Sequence, residues 1–504
     1  MRLNILFGGE AGTGPNVLTH LLGKALVKQG YYVFYSRDYQ SLIRGGHNFN
    51  VLTFSEKPVY SNGSKIDVLV ALDENTIKLH SKDLKKNSVI LKNHKENMYY
   101  GGRLFKLLGI DFKFLDNELK ILKDKYKENL IQAKKGYEDE IKKIYEIKFN
   151  KNKNYFVNGN QGVSEGAIKS GLDVYFAYPM TPATSVLVEL AGKQIANNFI
   201  VLELENELAV INAGIGSAIT GAKTMIGTSG GGFDLMTEAL SLTGIAGIPL
   251  VIFLSQRPGP GTGVATYTAQ GDLNIALHSG HGEFNRIVLA PGNPKEAEEL
   301  TSQAFYFSQK FKIPVIIISD KHLGESFYTL KEKAKITSSK KSTNFGRYNS
   351  YEKDEEGSAT EDAELIKKNI EARLKIGKEI EKEAGKFNQY EIYGKKNSKN
   401  VIVSWGSTSG VIIDAIKDLD TQGGHKNLQA GCKFIQIKYL EPFPKEIEKE
   451  LENKNLILIE NNATGLLGNL IREKTGIKIE KKILRYDGRP FLCDELREEI
   501  RRKL

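Results

Sequence analysis

Cysteine is nearly absent: the 504-residue chain has two, Cys432 and Cys493. Two thiols cannot furnish the four thiolates of an iron–sulfur cluster, nor a disulfide framework. A reducing, cytoplasmic setting is the simplest expectation. Long apolar runs are missing too. The most apolar window, residues 239–256, is interrupted by Ser241, Thr243, Gly244, Gly247 and Pro249. It reads as a helix end followed by a buried strand, so no membrane span is expected. Residues 3–7 already read as a buried strand, so no secretory leader is expected either. The 49 glycines follow no collagen-like period.

What is present is an ordinary folded composition, 40% hydrophobic and 26% charged, which excludes a wholly disordered chain. The length suggests about three domains. The net charge of +10 comes from 71 Lys and Arg against 61 Asp and Glu. In the longest charged stretches, residues 120–148 and 367–386, lysines are interspersed with acids, as on solvated helix faces. Residues 78–95 are more purely basic but short. No nucleic-acid-binding module is visible, and no nucleic-acid partner is expected.

The chain falls into four pieces. In residues 1–150, apolar strands alternate with helical patterns, which predicts a parallel sheet. Residues 118–145 read as one long charged helix, a plausible tether. Residues 151–330 repeat the alternation, with strands expected at 174–178, 223–228, 250–254 and 315–319 and a small-residue helix at 208–222. Residues 331–399 are polar and charged, and predict a surface strap with no core of its own. Residues 400–504 restart the pattern and suffice for one small α/β domain.

Glycine-rich turns and prolines punctuate these pieces. The turn Gly8-Gly9-Glu10-Ala11-Gly12-Thr13-Gly14 joins a strand to a helix, where backbone N–H groups can cradle an anion. Its spacing departs from G-x-G-x-x-G, although Asp38 lies near the place of an acidic partner, so a nicotinamide dinucleotide is not favoured. Tight helix-on-strand packing explains the same glycines. The run Arg44-Gly45-Gly46-His47-Asn48 suits an interface or an anion site, but a lone histidine is more often a satisfied surface residue.

Three further stretches carry more chemistry. Tyr178-Pro179-Met180-Thr181-Pro182 fixes a hydroxyl at a strand's C-terminal end, the edge where open α/β sheets bind ligands. Glu203, Glu205 and Glu207 lead into the small-residue helix, whose dipole favours carboxylates and whose bare surface admits a close neighbour. A carboxylate held there can be kept protonated by desolvation. The stretch Gln256-Arg257-Pro258-Gly259-Pro260-Gly261-Thr262-Gly263, continuing through Thr266 and Thr268 to Gln270-Gly271-Asp272, presents a guanidinium on a proline-stiffened loop. Such a group can grip a carboxylate with two parallel hydrogen bonds. A structural pairing of Arg257 with an acid is the plain alternative.

Together these motifs resemble the alpha subunit of 2-oxoacid:ferredoxin oxidoreductases, in the form with the gamma domain fused to its N-terminus. Tyr178–Pro182 resembles the family's Y-P-I-T-P motif, with Met180 at its isoleucine. Ser229-Gly230-Gly231-Gly232-Phe233 and Gln256–Gly261 match its glycine loops, and Gly8–Gly14 with residues 44–48 looks like the gamma domain. Asp354-Glu355-Glu356-Gly357, Thr360-Glu361-Asp362 and Glu441-Pro442-Phe443-Pro444 match further along. The resemblance implies three α/β domains with parallel-rich sheets: a Rossmann-like gamma domain in 1–150, a pyrimidine-type thiamine-diphosphate domain in 151–330, and a transketolase C-terminal-like domain in 400–504, with 331–399 as linker.

It also implies an activity: a 2-oxoacid and coenzyme A give acyl-CoA and CO2, with electrons passing to ferredoxin. By resemblance, Glu207 takes the place of the glutamate that hydrogen-bonds the aminopyrimidine ring of thiamine diphosphate. Tyr178, Pro179 and Thr181 lie where the motif faces cofactor and substrate. Arg257 and Thr266 match the residues that hold the carboxylate and carbonyl end of the 2-oxoacid. Tyr267 and Ala269 depart from relatives that carry a basic residue and a glutamate there, which leaves the acyl group open. 2-Oxoglutarate is favoured, with pyruvate and branched-chain 2-oxoacids as alternatives.

The diphosphate–magnesium motif of thiamine enzymes, G-D-G followed by Asn, is missing, because Tyr486-Asp487-Gly488-Arg489 has too little chain after it. The resemblance therefore places Mg2+ and the [4Fe-4S] cluster on a beta subunit and no metal site on this chain. Thiamine diphosphate is expected at the shared interface of a heterodimer or doubled heterodimer. A non-catalytic member of the same fold and a different thiamine enzyme are the competing readings.

Overall fold

The first strand, Arg2–Glu10, shows why the N-terminal piece folds. Its alternate residues Leu3, Ile5 and Phe7 enter one apolar cluster, while Leu6 enters a second with Leu69 and Ala71. A strand buried on both faces must sit inside its sheet. A computed structural model describes residues 2–40, 46–150, 154–342, 347–421 and 431–504, so Arg44 and Gly45 of the glycine run lie outside the described residues. The chain divides into two units. One comprises Met1–Val157, Ser326–Lys333 and Leu492–Leu496; the other comprises Asn158–Glu325, Ala334–Phe491 and Arg497–Leu504. Among the described residues, no helix is long and apolar enough to cross a membrane.

The N-terminal unit holds a seven-stranded sheet in the order Leu84–Leu91, Ile66–Ala71, Arg2–Glu10, His47–Ser55, Tyr32–Asp38, Phe327–Leu330, Tyr155–Asn158. The sheet is mixed, which corrects the expectation of a parallel one for this piece. His47–Ser55 runs antiparallel to both Arg2–Glu10 and Tyr32–Asp38. The reason is length: a parallel return needs a crossover of about a dozen residues or more, and only residues 39–46 separate the second strand from the third. His47 is no lone surface residue either. It is buried, and its Nε2 meets Nε2 of His80 at 2.9 Å.

The expected long helix over residues 118–145 is also broken. Phe112–Leu119 ends in a 3-10 turn with Lys123 at φ 46°, and a separate helix, Tyr126–Asp139, follows. That helix is no tether. It crosses Asn97–Leu107 backbone to backbone, because a β-carbon at Gly136 would fall 2.0 Å from the Tyr99 carbonyl.

In the second unit, a seven-stranded sheet runs Tyr439–Glu441, Ile287–Leu289, Pro314–Asp320, Leu250–Gln256, Thr224–Thr228, Val174–Ala177, Ile200–Glu203. All its pairs are parallel except the one made by Tyr439–Glu441. Val174–Ala177 connects to Ile200–Glu203 on one side, and the chain then crosses to Thr224–Thr228 on the other. The strand order therefore reverses at Val174–Ala177, and in open α/β sheets the crevice beyond that point binds ligands.

A third, five-stranded sheet in the same unit runs Tyr390–Gly394, Lys433–Ile437, Asn400–Trp405, Asn455–Glu460, Lys481–Leu484. Its first strand is antiparallel and the rest are parallel. The chain is thus a mixed α/β protein of three sheets with mostly parallel strands. Two details correct the reading of 331–399 as a coreless strap. Tyr390–Gly394 is a sheet strand, and the helix Ala363–Ala384 buries Ile380 and Ala384 in a cluster with Phe305 and Tyr439.

Candidate active site

At the point of strand reversal, Val174–Ala177 stops before the two prolines of residues 178–182, as the sequence predicts. Tyr178 and Pro179 stand exposed, while Thr181 is half-buried. The Thr181 carbonyl accepts a hydrogen bond from Nη1 of Arg257 at 2.8 Å. Two of the expected site residues are therefore joined directly, although through the Thr181 backbone and not its hydroxyl.

Of the three acids, only Glu207 turns inward. The strand ends at Glu203 and a helix, Glu207–Ile219, begins after Asn206, whose side chain accepts from the Ala209 amide at 2.8 Å. Because the segment is not one strand, the three carboxylates share no face: Glu203 and Glu205 are exposed and Glu207 is buried. The Glu207 Oε1 has no hydrogen-bond partner among the described residues. A buried carboxylate oxygen normally has one, so an unpaired one makes Glu207 a candidate for contact with a group outside the chain.

Opposite Glu207 lies the N-terminal turn of the helix Gly230–Ala246. A β-carbon on Gly232 would come 2.5 Å from Glu207 Oε1, and one on Gly230 would come 2.5 Å from Asp272 Oδ2. The bare glycine turn is held between two carboxylates. Ser229, at the head of this helix, makes no capping bond with its side chain, and its hydroxyl is buried without a partner. The Oδ2 of Asp272 is likewise buried and unpaired.

Electrostatics bind these groups together. Burial pulls the Arg257 guanidinium below its ordinary value, against the opposing charges of Asp272 and Glu207. Burial pushes the Asp272 carboxyl up to about 6; the charge of Asp234 adds to this and that of Arg257 opposes it. Thr266 is buried further along the loop that Arg257 opens. Thr268 is structural: its hydroxyl donates to Asp320 Oδ1 and accepts from the His322 amide, both at 3.3 Å.

The comparisons with known proteins identify the family. Residues 165–390 match the family of pyruvate flavodoxin/ferredoxin oxidoreductase thiamine-diphosphate-binding domains. Residues 4–152 match the pyruvate ferredoxin/flavodoxin oxidoreductase family. The chain is 30% identical to the 2-oxoacid:ferredoxin oxidoreductase alpha subunit of a Sulfolobus species, across 99% of this chain and 96% of that one. The chain belongs to the family of 2-oxoacid:ferredoxin oxidoreductase alpha subunits. This alpha subunit is also 30% identical to the 2-oxoglutarate synthase subunit KorA of Methanocaldococcus jannaschii, over 61% of this chain and 88% of that one. Its fold matches that of a 2-oxoglutarate:ferredoxin oxidoreductase from Magnetococcus marinus, solved with 2-oxoglutarate, coenzyme A and succinyl-CoA bound. The TM-score is 0.89 at 23% identity, covering 100% and 99% of the two chains.

Two residues of the candidate site had no assigned role in the sequence. Asp272 and Gln270 close the loop that Arg257 opens, and only their tertiary contacts reveal what they do. Gln270 is fully buried. Its Nε2 donates to the Trp405 carbonyl at 2.9 Å, and its Oε1 accepts from Thr408 Oγ1 at 2.8 Å and the Asn461 amide at 3.0 Å. It thereby joins the loop that Arg257 opens to the third sheet.

Proposed function

We propose that this alpha subunit forms half of a thiamine-dependent active site and, with a beta subunit, converts a 2-oxoacid and coenzyme A to acyl-CoA and CO2, delivering electrons to ferredoxin. The observation that carries the reading is the buried, unpartnered Oε1 of Glu207, set against a glycine turn at the strand reversal. Thiamine diphosphate fits these residues: an acid oxygen lacks a partner, and the glycine face opposite has no β-carbon to fill the space. When bound, that cofactor supplies the carbanion-stabilising chemistry of decarboxylation.

The chain's own residues then divide the work. Glu207 holds or returns a proton at Oε1 toward a ring nitrogen. Arg257, anchored by the Thr181 carbonyl, keeps further N–H groups for the substrate carboxylate, and Thr266 lies on the same loop. Tyr178, Pro179 and Thr181 form the approach from the strand end. Mg2+ and a [4Fe-4S] cluster belong to the beta subunit in this reading, and 2-oxoglutarate is the favoured substrate. Exposed Tyr178, Leu208, Leu235 and Val264 stand beside or within the site's loops and helix starts, as expected of a half-site covered by a partner.

The test is co-expression with the beta subunit and an anaerobic assay of coenzyme A-dependent viologen reduction over a panel of 2-oxoacids. Glu207→Gln should lower kcat by about 10²–10⁴-fold, and Arg257→Ala should act chiefly on the 2-oxoacid KM. A stable, cluster-loaded complex that turns over no 2-oxoacid would sink the catalytic reading in favour of a non-catalytic subunit.

A further inference from the structure

A cavity of about 470 Å³ lies within the second unit, and none of the groups named in the candidate active site lines it. Its walls include the loop between the helix Leu273–His278 and the strand Ile287–Leu289, the helix Ala363–Ala384 and the helix Leu466–Thr475. The loop is wound around Phe284. A β-carbon on Gly244 would collide with that ring, and one on Gly280, at φ 83°, would lie 3.0 Å from its Cζ. The Asn285 side chain ties the loop to the long helix by donating to the Arg373 carbonyl at 2.7 Å.

Arg286 lines the cavity and lies on this fixed ring, its guanidinium carbon 4.4 Å from the ring centroid. Its Nη1 donates to Ser279 Oγ at 3.2 Å; among the described residues it has no other hydrogen-bond partner, and no carboxylate stands within ion-pair distance. Burial pulls this guanidinium down to about 10, with the charge of Glu441 opposing. The neighbouring cations are already neutralised. Arg373 is joined to both carboxylate oxygens of Glu352, and Lys474 lies 3.3 Å from Glu441 and 3.3 Å from Glu473. Glu283, the remaining acid of the lining, is exposed. A half-buried guanidinium held on a rigid aromatic face without a counter-ion suits an anion from outside the chain.

Much of the remaining wall is apolar. Leu277 and Leu470 are buried, whereas Ile370 and Leu374, one helical turn apart, are 37% and 58% exposed. Apolar side chains left in water beside an unpaired guanidinium favour a ligand with a hydrocarbon body and a single negative charge. We propose that this cavity binds a small apolar monocarboxylate, with its carboxylate on Arg286 and its hydrocarbon against Ile370 and Leu374. The inference does not depend on which 2-oxoacid the candidate active site accepts.

Calorimetry and ligand-observed NMR with phenylacetate, on the subunit assembled with its beta partner, test it. Saturable binding in the millimolar range or tighter is expected. Acetate, which lacks the apolar body, and phenylacetamide, which lacks the charge, should each bind about tenfold more weakly or worse. Arg286→Gln should weaken phenylacetate binding about tenfold or more, as for a lost charge-assisted hydrogen bond. Leu374→Glu sets a like charge at an exposed position and should act in the same direction; it carries the test alone if the glutamine variant fails to assemble. Arg257→Ala should leave the affinity within about twofold. Binding lost in Arg257→Ala and kept in Arg286→Gln assigns the ligand to the candidate active site. Affinity unchanged in Arg286→Gln shows that Phe284 and Ser279 hold the cation for structure alone. Equal binding of phenylacetamide reduces the cavity to an apolar cleft. Any of these results, or no saturable binding of phenylacetate, overturns the inference.

Discussion

Glu207 and Gly232 face each other so closely that a single added carbon at position 232 would lie 2.5 Å from the Glu207 Oε1. The same carbon would lie 2.2 Å from Thr228 Oγ1. The glycine is therefore the counterpart of the acid: it keeps open the space into which the unpartnered oxygen points.

Gly232→Ala should consequently displace Glu207 or the Thr228 strand end. Such overpacking costs about 1–3 kcal/mol of stability, so the chain should still fold. Activity of the assembled enzyme should fall far more, in kcat, as expected also for Glu207→Gln. Calorimetry of thiamine diphosphate binding to the assembled complex provides the second readout. Unchanged kcat and unchanged affinity would show that Oε1 has no role at the cofactor.

Asp272 makes a pH prediction. Its carboxyl is raised from 3.8 to about 6, first by burial and then by Asp234. Between those two values the native state keeps a proton that the unfolded chain has released. Stability from this group is therefore full at the acid end of that window and is lost as the pH rises through about 6. Asp272→Asn removes the slope. Its melting temperature relative to the unaltered chain should climb across the window and level off above it. A constant difference across the window would mean that Asp272 titrates as an ordinary surface acid.

Gln270 should carry more stability than its single side chain suggests. Gln270→Ala leaves the Asn461 amide without the bond it makes to that side chain, while the Trp405 carbonyl keeps the Thr408 hydroxyl at 3.0 Å. An orphaned buried group costs about 1–3 kcal/mol, so denaturant unfolding should show a loss of about that size. A loss below about 1 kcal/mol, the size of a surface change, would show that the loop is held elsewhere.

Much of the candidate site was legible before the fold was known, because its residues sit in local punctuation. Prolines at 179 and 182 stop a strand; glycines at 230–232 open a helix; Arg257 follows a buried strand directly. In each case the turn chemistry lies within a few residues of the group it positions. Choosing Glu207 among three acids depended on where the helix begins, and the Asn206 cap decides that.

The composition and motif order alone determined an α/β chain and its family resemblance. The tertiary structure alone decided that His47–Ser55 returns antiparallel, that Phe327–Leu330 pairs with Tyr32–Asp38, and that Tyr390–Gly394 joins the last sheet. It also decided that Arg489 stacks on Tyr267. The physical reason is common to all four. A strand's alternation fixes which faces are buried but not which neighbour it bonds, and a contact between distant segments leaves no periodic trace in either one. Such pairings are set by closing the whole core, where apolar burial and satisfied backbone hydrogen bonds are settled together.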